Sequence, residues 1–109
     1  MPNHIECVDP RGIRVVCTEK IWTQKILASH GDLTGCEHLV RLTIEKPRFN
    51  FIFQDAKQPS RNMYYGLFAE SPFYLKVVVE LDQSGTRARV VSAYRTSNTK
   101  RTEVLIWPS

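Results

Sequence analysis

The chain has 109 residues, of which 42% are hydrophobic and 24% are charged, and this is the composition of one globular domain rather than of a disordered or fibrous chain. Its formal net charge of +4 is compatible with binding to a polyanion and equally with an ordinary basic surface. No stretch has the apolar length of a signal peptide or a membrane span. We therefore expect a single domain over residues 1–109 that stays in the cytoplasm and contacts no membrane.

The three cysteines, Cys7, Cys17 and Cys36, form no CxxC pair and no metal-ligand spacing. An odd count argues against a disulfide framework, so the sequence predicts reduced and mostly buried thiols. The chain also lacks a P-loop, a GxGxxG motif, an HExxH motif and a nucleophile elbow, and its aspartates are scattered singly. Any catalysis is therefore expected to need neither a metal nor another cofactor.

The first half of the chain predicts one strand and two helices. After a polar leader over residues 1–10, the β-branched run from Ile13 to Cys17 indicates a strand. Thr18 can cap a helix that continues from about Glu19 to His30, because apolar residues recur there at helical spacing until Gly31. A second helix is capped by Asp32 or Thr34 and ended by Pro47.

The second half has the alternation of β-strands, with period 2. Alternating phenylalanines predict a strand whose aromatic face is directed at the helices, and Gly85 marks a hairpin turn farther along. The strands that we expect are Phe49 to Gln54, Arg61 to Phe68, Tyr74 to Leu81, Arg87 to Arg95 and about Glu103 to Trp107.

This order of elements predicts an α+β domain, in which two N-terminal helices pack on one face of a four- to five-stranded antiparallel sheet. If Leu75 and Ala93 face the helices, then Lys76, Tyr94 and Thr96 share the opposite, open face. One of two neighbouring tyrosines, Tyr64 or Tyr65, joins them, and the sequence does not decide which one. Cations and tyrosine rings of this kind can contact phosphates and bases, although they are also common on antiparallel sheets for reasons of stability alone.

His30 is the best acid–base candidate among the three histidines. It follows Ile26 by four residues at the end of the first predicted helix, where the partial negative charge of the helix terminus favours a protonated ring. A protonated imidazole at such a place can donate a proton to a leaving group. The alternative is a capping histidine whose ring donates a hydrogen bond to the last carbonyls of the helix.

An ordered series of segments resembles the phage-barnase-EndoU-colicin-RelE-like nuclease domains, abbreviated PBECR. The resemblance extends from Asp9 to Trp107, and the Val-Val-Ser-Ala-Tyr segment is also similar to the late strand of BrnT-type toxins. The residues that carry it are Trp22, Lys25, Ile26 and His30, then Glu45, Lys46 and Pro47, then Arg61, Tyr64 and Tyr65, then Leu75 to Val79, then Val90 to Thr96, and finally Ile106 and Trp107.

This resemblance implies a barnase- or RelE-like fold and a small metal-independent endoribonuclease. In such enzymes the ribose 2′-hydroxyl attacks the adjacent phosphate, and many of them are toxins of toxin–antitoxin, phage or polymorphic toxin systems. The implied partners are RNA and a cognate antitoxin or immunity protein. The chain departs from the pattern at Lys25, where many relatives carry a histidine, so that a two-histidine mechanism is not expected.

We therefore expect His30 to act as general acid or base, Arg61 and Lys76 to stabilise charge on the phosphate, and Tyr94 and Thr96 to orient it. The residues that we expect to bind the substrate are Lys25, Tyr64, Tyr65, Arg95, Lys100 and Arg101. Two alternatives remain open. One is a catalytically inactive RNA- or protein-binding module on the same fold, and the other is a protein-binding surface made by the numerous aromatic side chains.

Overall fold

A computed structural model describes residues 3–67, 74–97 and 103–108. The predicted roles of Lys100 and Arg101, and the aromatic residues Phe68 and Phe73, lie outside the described residues. The described strands join into one seven-stranded sheet, on which the helices pack.

The sheet is mixed. Its strands are β1 (Asn3–Val8), β2 (Arg14–Thr18), β3 (Ile52–Asp55), β4 (Arg61–Leu67), β5 (Tyr74–Leu81), β6 (Arg87–Thr96) and β7 (Glu103–Trp107). They lie in the order β1-β2-β6-β5-β4-β3-β7. Each neighbouring pair is antiparallel except β2 and β6, which are parallel and pair through residues 14–16 and 87–89.

Helix α1 covers residues 19–29 and contains a π-helical segment, Trp22–Ile26, between two short α-helical segments. The predicted cap is confirmed, since the Thr18 hydroxyl accepts a hydrogen bond from the backbone N–H of Ile21 at 3.2 Å. A 3-10 turn, Gly31–Leu33, then leads to helix α2 (Glu37–Glu45). The two predicted helices are therefore present, and the second begins a few residues later than expected.

The core lies between the helices and one face of the sheet. Helix α2 presents Val40 and Ile44 to this face, as its apolar spacing predicts. Alternate residues of the strands complete the core, because successive side chains of a strand point to opposite faces. The fully buried members include Trp22, Ile26, Leu33, Ile52, Tyr64, Leu75, Val77 and Val79.

The predicted fold class is wrong. The structure has a seven-stranded mixed sheet and not four to five antiparallel strands, and its helices follow two strands. Strand β1 was interpreted as part of a polar leader, yet its alternation buries Ile5 and Cys7 and leaves His4 and Glu6 exposed. The two polar side chains on its outer face, His4 and Glu6, led to this short strand being interpreted as part of the leader.

The predicted direction of the phenylalanines is also wrong. Strand β3 begins at Ile52, whose side chain occupies the core, so Phe51 and Phe53 turn to the opposite face. Phe49 precedes the strand in a 3-10 turn, Arg48–Asn50, and its side chain is 70% exposed. These phenylalanine side chains therefore lie on the open face of the sheet and not on the face that contacts the helices.

A register shift in β6 corrects one further assignment. Val78 pairs with Ser92 but Val79 pairs with Val90, so Val91 is the additional residue of a β-bulge. Val90 consequently faces the core, whereas strict alternation back from Ala93 would have placed Val91 there. Beyond the bulge the predicted alternation holds, and Tyr94 lies opposite Lys76.

Candidate active site

The three central strands place one lysine between two tyrosines. Lys76 of β5 pairs with Tyr65 of β4 and with Tyr94 of β6. Its Nζ lies 5.7 Å from the ring centroid of Tyr65 and 5.6 Å from that of Tyr94. At these distances each ring attracts the ammonium group through its negative face. Tyr65, rather than Tyr64, is therefore the tyrosine that accompanies Lys76.

Glu103 of β7 completes this group. Lys76 Nζ donates a hydrogen bond to Glu103 Oε2 at 2.6 Å, and the Tyr65 hydroxyl donates to the other oxygen, Oε1. The side chains of Lys76 and Glu103 are only 4% and 2% exposed. Both charges are thus withdrawn from water but paired and hydrogen-bonded, as buried charges require.

His30 reaches the same place from the end of helix α1. Its ring stacks on the ring of Tyr94, with centroids 5.5 Å apart and planes inclined at 28°. Its backbone N–H donates to the Ile26 carbonyl at 2.7 Å, whereas its ring makes no hydrogen bond to the described residues. The capping alternative is therefore not what the structure shows. We call His30, Tyr65, Lys76, Tyr94 and Glu103 the Tyr94 cluster.

The π-helical segment contributes to the position of His30. The wider turn over Trp22–Ile26 buries both Trp22 and Ile26 almost completely. A π turn contains one more residue than the corresponding α turn, so it shifts the angular position of every later residue. Regular helical spacing predicted that His30 would share the buried face of Trp22 and Ile26. In the structure it does not, and it is half-buried against Tyr94.

Thr96 lies at the margin of the Tyr94 cluster. It is two residues beyond Tyr94 on the same strand, pairs with Tyr74 and is half-buried. Because residues two apart on a strand share one face, its hydroxyl lies on the open side of the sheet. The structure therefore brings together four of the five predicted catalytic residues: His30, Lys76, Tyr94 and Thr96.

Arg61, the fifth predicted catalytic residue, is not part of the cluster. Its Nε donates a hydrogen bond to Glu80 Oε2 at 3.0 Å, at the opposite end of β4. Four residues of extended strand separate it from Tyr65, which is about 13 Å at roughly 3.3 Å per residue. Arg61 therefore stabilises the distal end of the sheet, and its predicted catalytic role is not supported by its position.

Tyr64 lies on the opposite, buried face. Its hydroxyl donates to Asp9 Oδ2 at 2.8 Å and accepts a hydrogen bond from Arg11 at 3.3 Å. Burial, with the neighbouring Asp9 carboxylate, raises the pKa of Tyr64 well above its usual range. This tyrosine supports the turn that joins β1 to β2, and its complete burial does not support the predicted substrate-binding role.

The other predicted binding residues are dispersed. Arg95 points to the side of β6 opposite Tyr94, and its Nε lies 3.5 Å from Asp32 Oδ2. Lys25 is exposed on helix α1. Arg95 is therefore directed away from the side of β6 that carries the Tyr94 ring, and Lys25 lies on the surface of the helix.

A groove lined by aromatic side chains adjoins the cluster on the open face. Its volume is about 380 Å³, and Tyr65 belongs both to this groove and to the Tyr94 cluster. The Arg48 guanidinium lies over two of its rings, 4.7 Å from the centroid of Phe49 and 4.8 Å from that of Tyr74. We call this the aromatic groove; its lining residues are Arg48, Phe49, Phe51, Phe53, Tyr65, Tyr74 and Ser97.

Glu103 and the aromatic groove were missed by the sequence reasoning. A glutamate at the start of an apolar strand is a weak indication, and only the pairing of β7 with β3 brings it to Lys76. The alternation of Phe49, Phe51 and Phe53 was noticed but was directed to the wrong face. The position of Ile52 in the centre of that alternation could have indicated the correct one.

Three further features of the described residues concern metal binding, membrane spanning and the cysteine thiols. They contain no group of three or more histidine, cysteine, aspartate or glutamate side chains placed to hold a metal ion. Within the same ranges, no helix has both the length and the apolar character that crossing a membrane requires. Cys7 and Cys17 are buried free thiols, and Cys36 is a half-buried free thiol.

Comparison of this chain with protein-family models, with curated proteins and with solved structures finds no match. A function for this chain can therefore be inferred only from the geometry of the Tyr94 cluster and the aromatic groove.

Proposed function

We propose that this protein is a small endoribonuclease that cleaves RNA without a metal, through attack of a ribose 2′-hydroxyl on the adjacent phosphate. The single observation that carries the proposal is the stacking of His30 on Tyr94, next to the aromatic groove. A half-buried imidazole held by an aromatic ring can exchange protons with a bound ligand. The neighbouring rings and the Arg48 cation are of the kind that bind single-stranded RNA.

In the proposed reaction the His30 imidazole takes the proton of the 2′-hydroxyl as its oxygen attacks phosphorus. The bond from phosphorus to the 5′-oxygen breaks, and the same imidazole returns a proton to that oxygen. The products are a 2′,3′-cyclic phosphate and a 5′-hydroxyl. Tyr94 holds the imidazole by stacking, and in this proposal Thr96 orients the phosphate.

Lys76 receives a different role in this proposal from the one that its charge alone predicted. Its side chain is 4% exposed and paired with Glu103, so it cannot reach a bound phosphate without breaking that pair. It acts instead as a positioning residue, because its ammonium group lies between the rings of Tyr65 and Tyr94. The proposal also includes a cytoplasmic toxin with a cognate antitoxin or immunity protein as partner.

The experiment is an RNA cleavage assay with purified protein in the presence of a chelator. We expect fragments of total RNA or transfer RNA that end in 2′,3′-cyclic phosphate. His30→Ala is expected to lower the rate by about 10²- to 10⁴-fold, the usual contribution of a proton-transfer group. His38→Ala is the matched control, since His38 is exposed on helix α2 and belongs to neither the Tyr94 cluster nor the aromatic groove. Absence of cyclic-phosphate ends, or equal rates for both variants, would contradict the proposal.

A second candidate function is RNA binding without cleavage. The observation that favours it is the burial of the Lys76 and Glu103 side chains, which cannot exchange protons with a bound RNA. His30 is then the half-exposed acid–base group of the Tyr94 cluster. This candidate predicts that the wild-type protein binds RNA and releases no fragments. It also predicts that cells tolerate expression of the wild-type protein, whereas an active toxin arrests growth and its His30→Ala variant does not.

A further inference from the structure

We infer that the aromatic groove is the binding site for one unpaired nucleobase of single-stranded RNA, with Arg48 contacting an adjacent phosphate. The inference deepens the proposed function and rests on it for the choice of RNA as ligand. It adds a subsite next to the Tyr94 cluster, and therefore a requirement for unpaired RNA at that position.

The rings of the groove are not stacked face to face, and they differ in exposure, since Phe49 is 70% exposed and Tyr65 only 4%. Phe49 and Phe51 are inclined at 47°, Phe51 and Phe53 at 85°, and Phe53 and Tyr65 at 87°. Arg48 lies over one face of the exposed Phe49 ring, so the other face is available for a flat ligand. A nucleobase is such a ligand, because every base has a π-face that stacks on aromatic side chains.

Phe49 occupies an unusual backbone conformation. Its φ is 55° and that of Asn50 is 59°, so two consecutive residues lie in the left-handed region, which bulky side chains rarely adopt. The Phe49 side chain is nevertheless 70% exposed and fills no core position. A strained and exposed aromatic residue gains nothing from burial within the described fold, and such residues concentrate at ligand sites.

Arg48 gives the groove its charge preference. Its guanidinium lies over the rings of Phe49 and Tyr74, which orients it at the wall of the groove. None of the described lining residues carries a carboxylate. The groove therefore matches a ligand that has a flat ring and a negative charge close to it. A nucleotide of RNA has both, in its base and its anionic phosphodiester.

The groove is continuous with the Tyr94 cluster and has a suitable size. Tyr65 is shared by both, and Tyr74 of the groove pairs with Thr96. A volume of about 380 Å³ is within the range of about 300–1,000 Å³ found for small-ligand pockets. A base bound there would place its neighbouring phosphodiester towards Thr96, Tyr94 and His30.

The test uses a short single-stranded 2′-O-methyl oligonucleotide, which has no free 2′-hydroxyl and cannot be cleaved by the proposed reaction. Its affinity for the full-length protein is measured by fluorescence anisotropy. Phe49→Ala is expected to weaken binding about 5- to 150-fold, the range for loss of one base–aromatic stack. Phe49→Gly should weaken it to a similar extent, although glycine accepts a positive φ without strain.

The matched control is Leu42→Ala, because Leu42 is 49% exposed on helix α2 and does not line the groove. We expect its affinity to equal that of the wild-type protein. Arg48→Gln should reduce the dependence of binding on salt, as expected when one phosphate contact is lost. A duplex of the same sequence should bind more weakly than the single strand.

The outcomes separate this inference from the proposed function. Equal affinities of wild type, Phe49→Ala and Phe49→Gly would overturn the nucleobase site even if the protein cleaves RNA. Failure of the wild type to bind any oligonucleotide would overturn it as well. Conversely, weaker binding by both Phe49 variants, with no cleavage by wild type, would support the nucleobase site and contradict the endoribonuclease.

Discussion

Lys76 and Glu103 form a direct ion pair although their strands are not neighbours in the sheet. Their Nζ and Oε2 atoms are 2.6 Å apart, while β4 and β3 lie between β5 and β7. In a flat sheet, strands about 4.8 Å apart would separate β5 from β7 by about 14 Å. The two long side chains therefore extend towards each other over β4 and β3 on the open face of the sheet.

Loss of one partner of this pair should strongly destabilise the protein. Lys76→Met leaves the Glu103 carboxylate buried without its cation, and we expect a loss of about 3–5 kcal/mol in the free energy of unfolding. The double variant Lys76→Met with Glu103→Gln should lose less than the sum of the single variants, because both charges are removed together. Urea denaturation measures these values, and strict additivity would contradict the assignment.

The ion pair of Arg61 and Glu80 provides a matched control for that experiment. It joins two neighbouring strands, β4 and β5, and its side chains are 42% and 28% exposed. Exposed pairs contribute about 0–1 kcal/mol, so we expect Arg61→Met to change the free energy of unfolding by no more than this amount. The same variant should retain RNA cleavage, since Arg61 lies away from the Tyr94 cluster.

The stacked pair of His30 and Tyr94 predicts different effects for two variants of the tyrosine. Tyr94→Phe retains the ring, and we expect its kcat for RNA cleavage to remain within a few-fold of wild type. Tyr94→Leu removes the aromatic face, so the imidazole loses its support and kcat should fall by about 10-fold or more. Measurement of kcat and KM checks this, and an unchanged kcat in Tyr94→Leu would contradict a positioning role.

Gly66 is required where helix α2 approaches strand β4. A Cβ atom at this position would lie 2.1 Å from Thr43 Oγ1, well inside contact distance. Thr43 cannot move freely because its hydroxyl donates to the Leu39 carbonyl at 2.7 Å. We expect Gly66→Ala to destabilise the protein by about 1–3 kcal/mol, as overpacking does. Adding Thr43→Ala should recover part of this loss, and thermal denaturation of the single and double variants measures it.

Alkaline pH should destabilise the protein through its buried thiols. Burial raises the pKa of Cys17 from 9.0 to about 11 and that of Cys7 to about 12. The unfolded chain therefore loses these protons near pH 9 while the folded protein keeps them. This contribution to stability is complete below pH 9 and declines as the pH rises from 9 towards 11.

The urea midpoint measured between pH 8 and 11 checks this prediction. The decline should be shallower in Cys17→Val, which has no thiol to ionise. Cys36→Ala serves as the control, because Cys36 is only half-buried and should contribute less to the decline. A midpoint that does not change between pH 9 and 11 would contradict the expected linkage.

Local patterns in the sequence predicted most individual elements. Strands β4, β5, β6 and β7 begin at the predicted residues and end within one residue of the predicted positions. A turn around Gly85, with a φ of 71°, joins β5 to β6. Such hairpins bring adjacent strands together, so the alternation along β5 and β6 was sufficient to place Lys76 opposite Tyr94.

Contacts between distant parts of the chain were not predictable from the same patterns. The partner of Lys76 is Glu103, which reaches it only because β7 pairs with β3. The choice between Tyr64 and Tyr65 depended on which face of β4 the helices cover. The stacking of His30 depended on a π-helical segment that regular helical spacing does not include.

The parallel pairing of β2 with β6 also determines how the protein must fold. It joins residues 14–16 to residues 87–89, so most of the chain lies within the loop that this contact closes. Closing long loops costs entropy before the contact stabilises the chain, and proteins with many such contacts fold slowly. We expect refolding in milliseconds to seconds rather than microseconds. Since β6 carries Tyr94, the site forms only after segments that are about 70 residues apart in the sequence have come together.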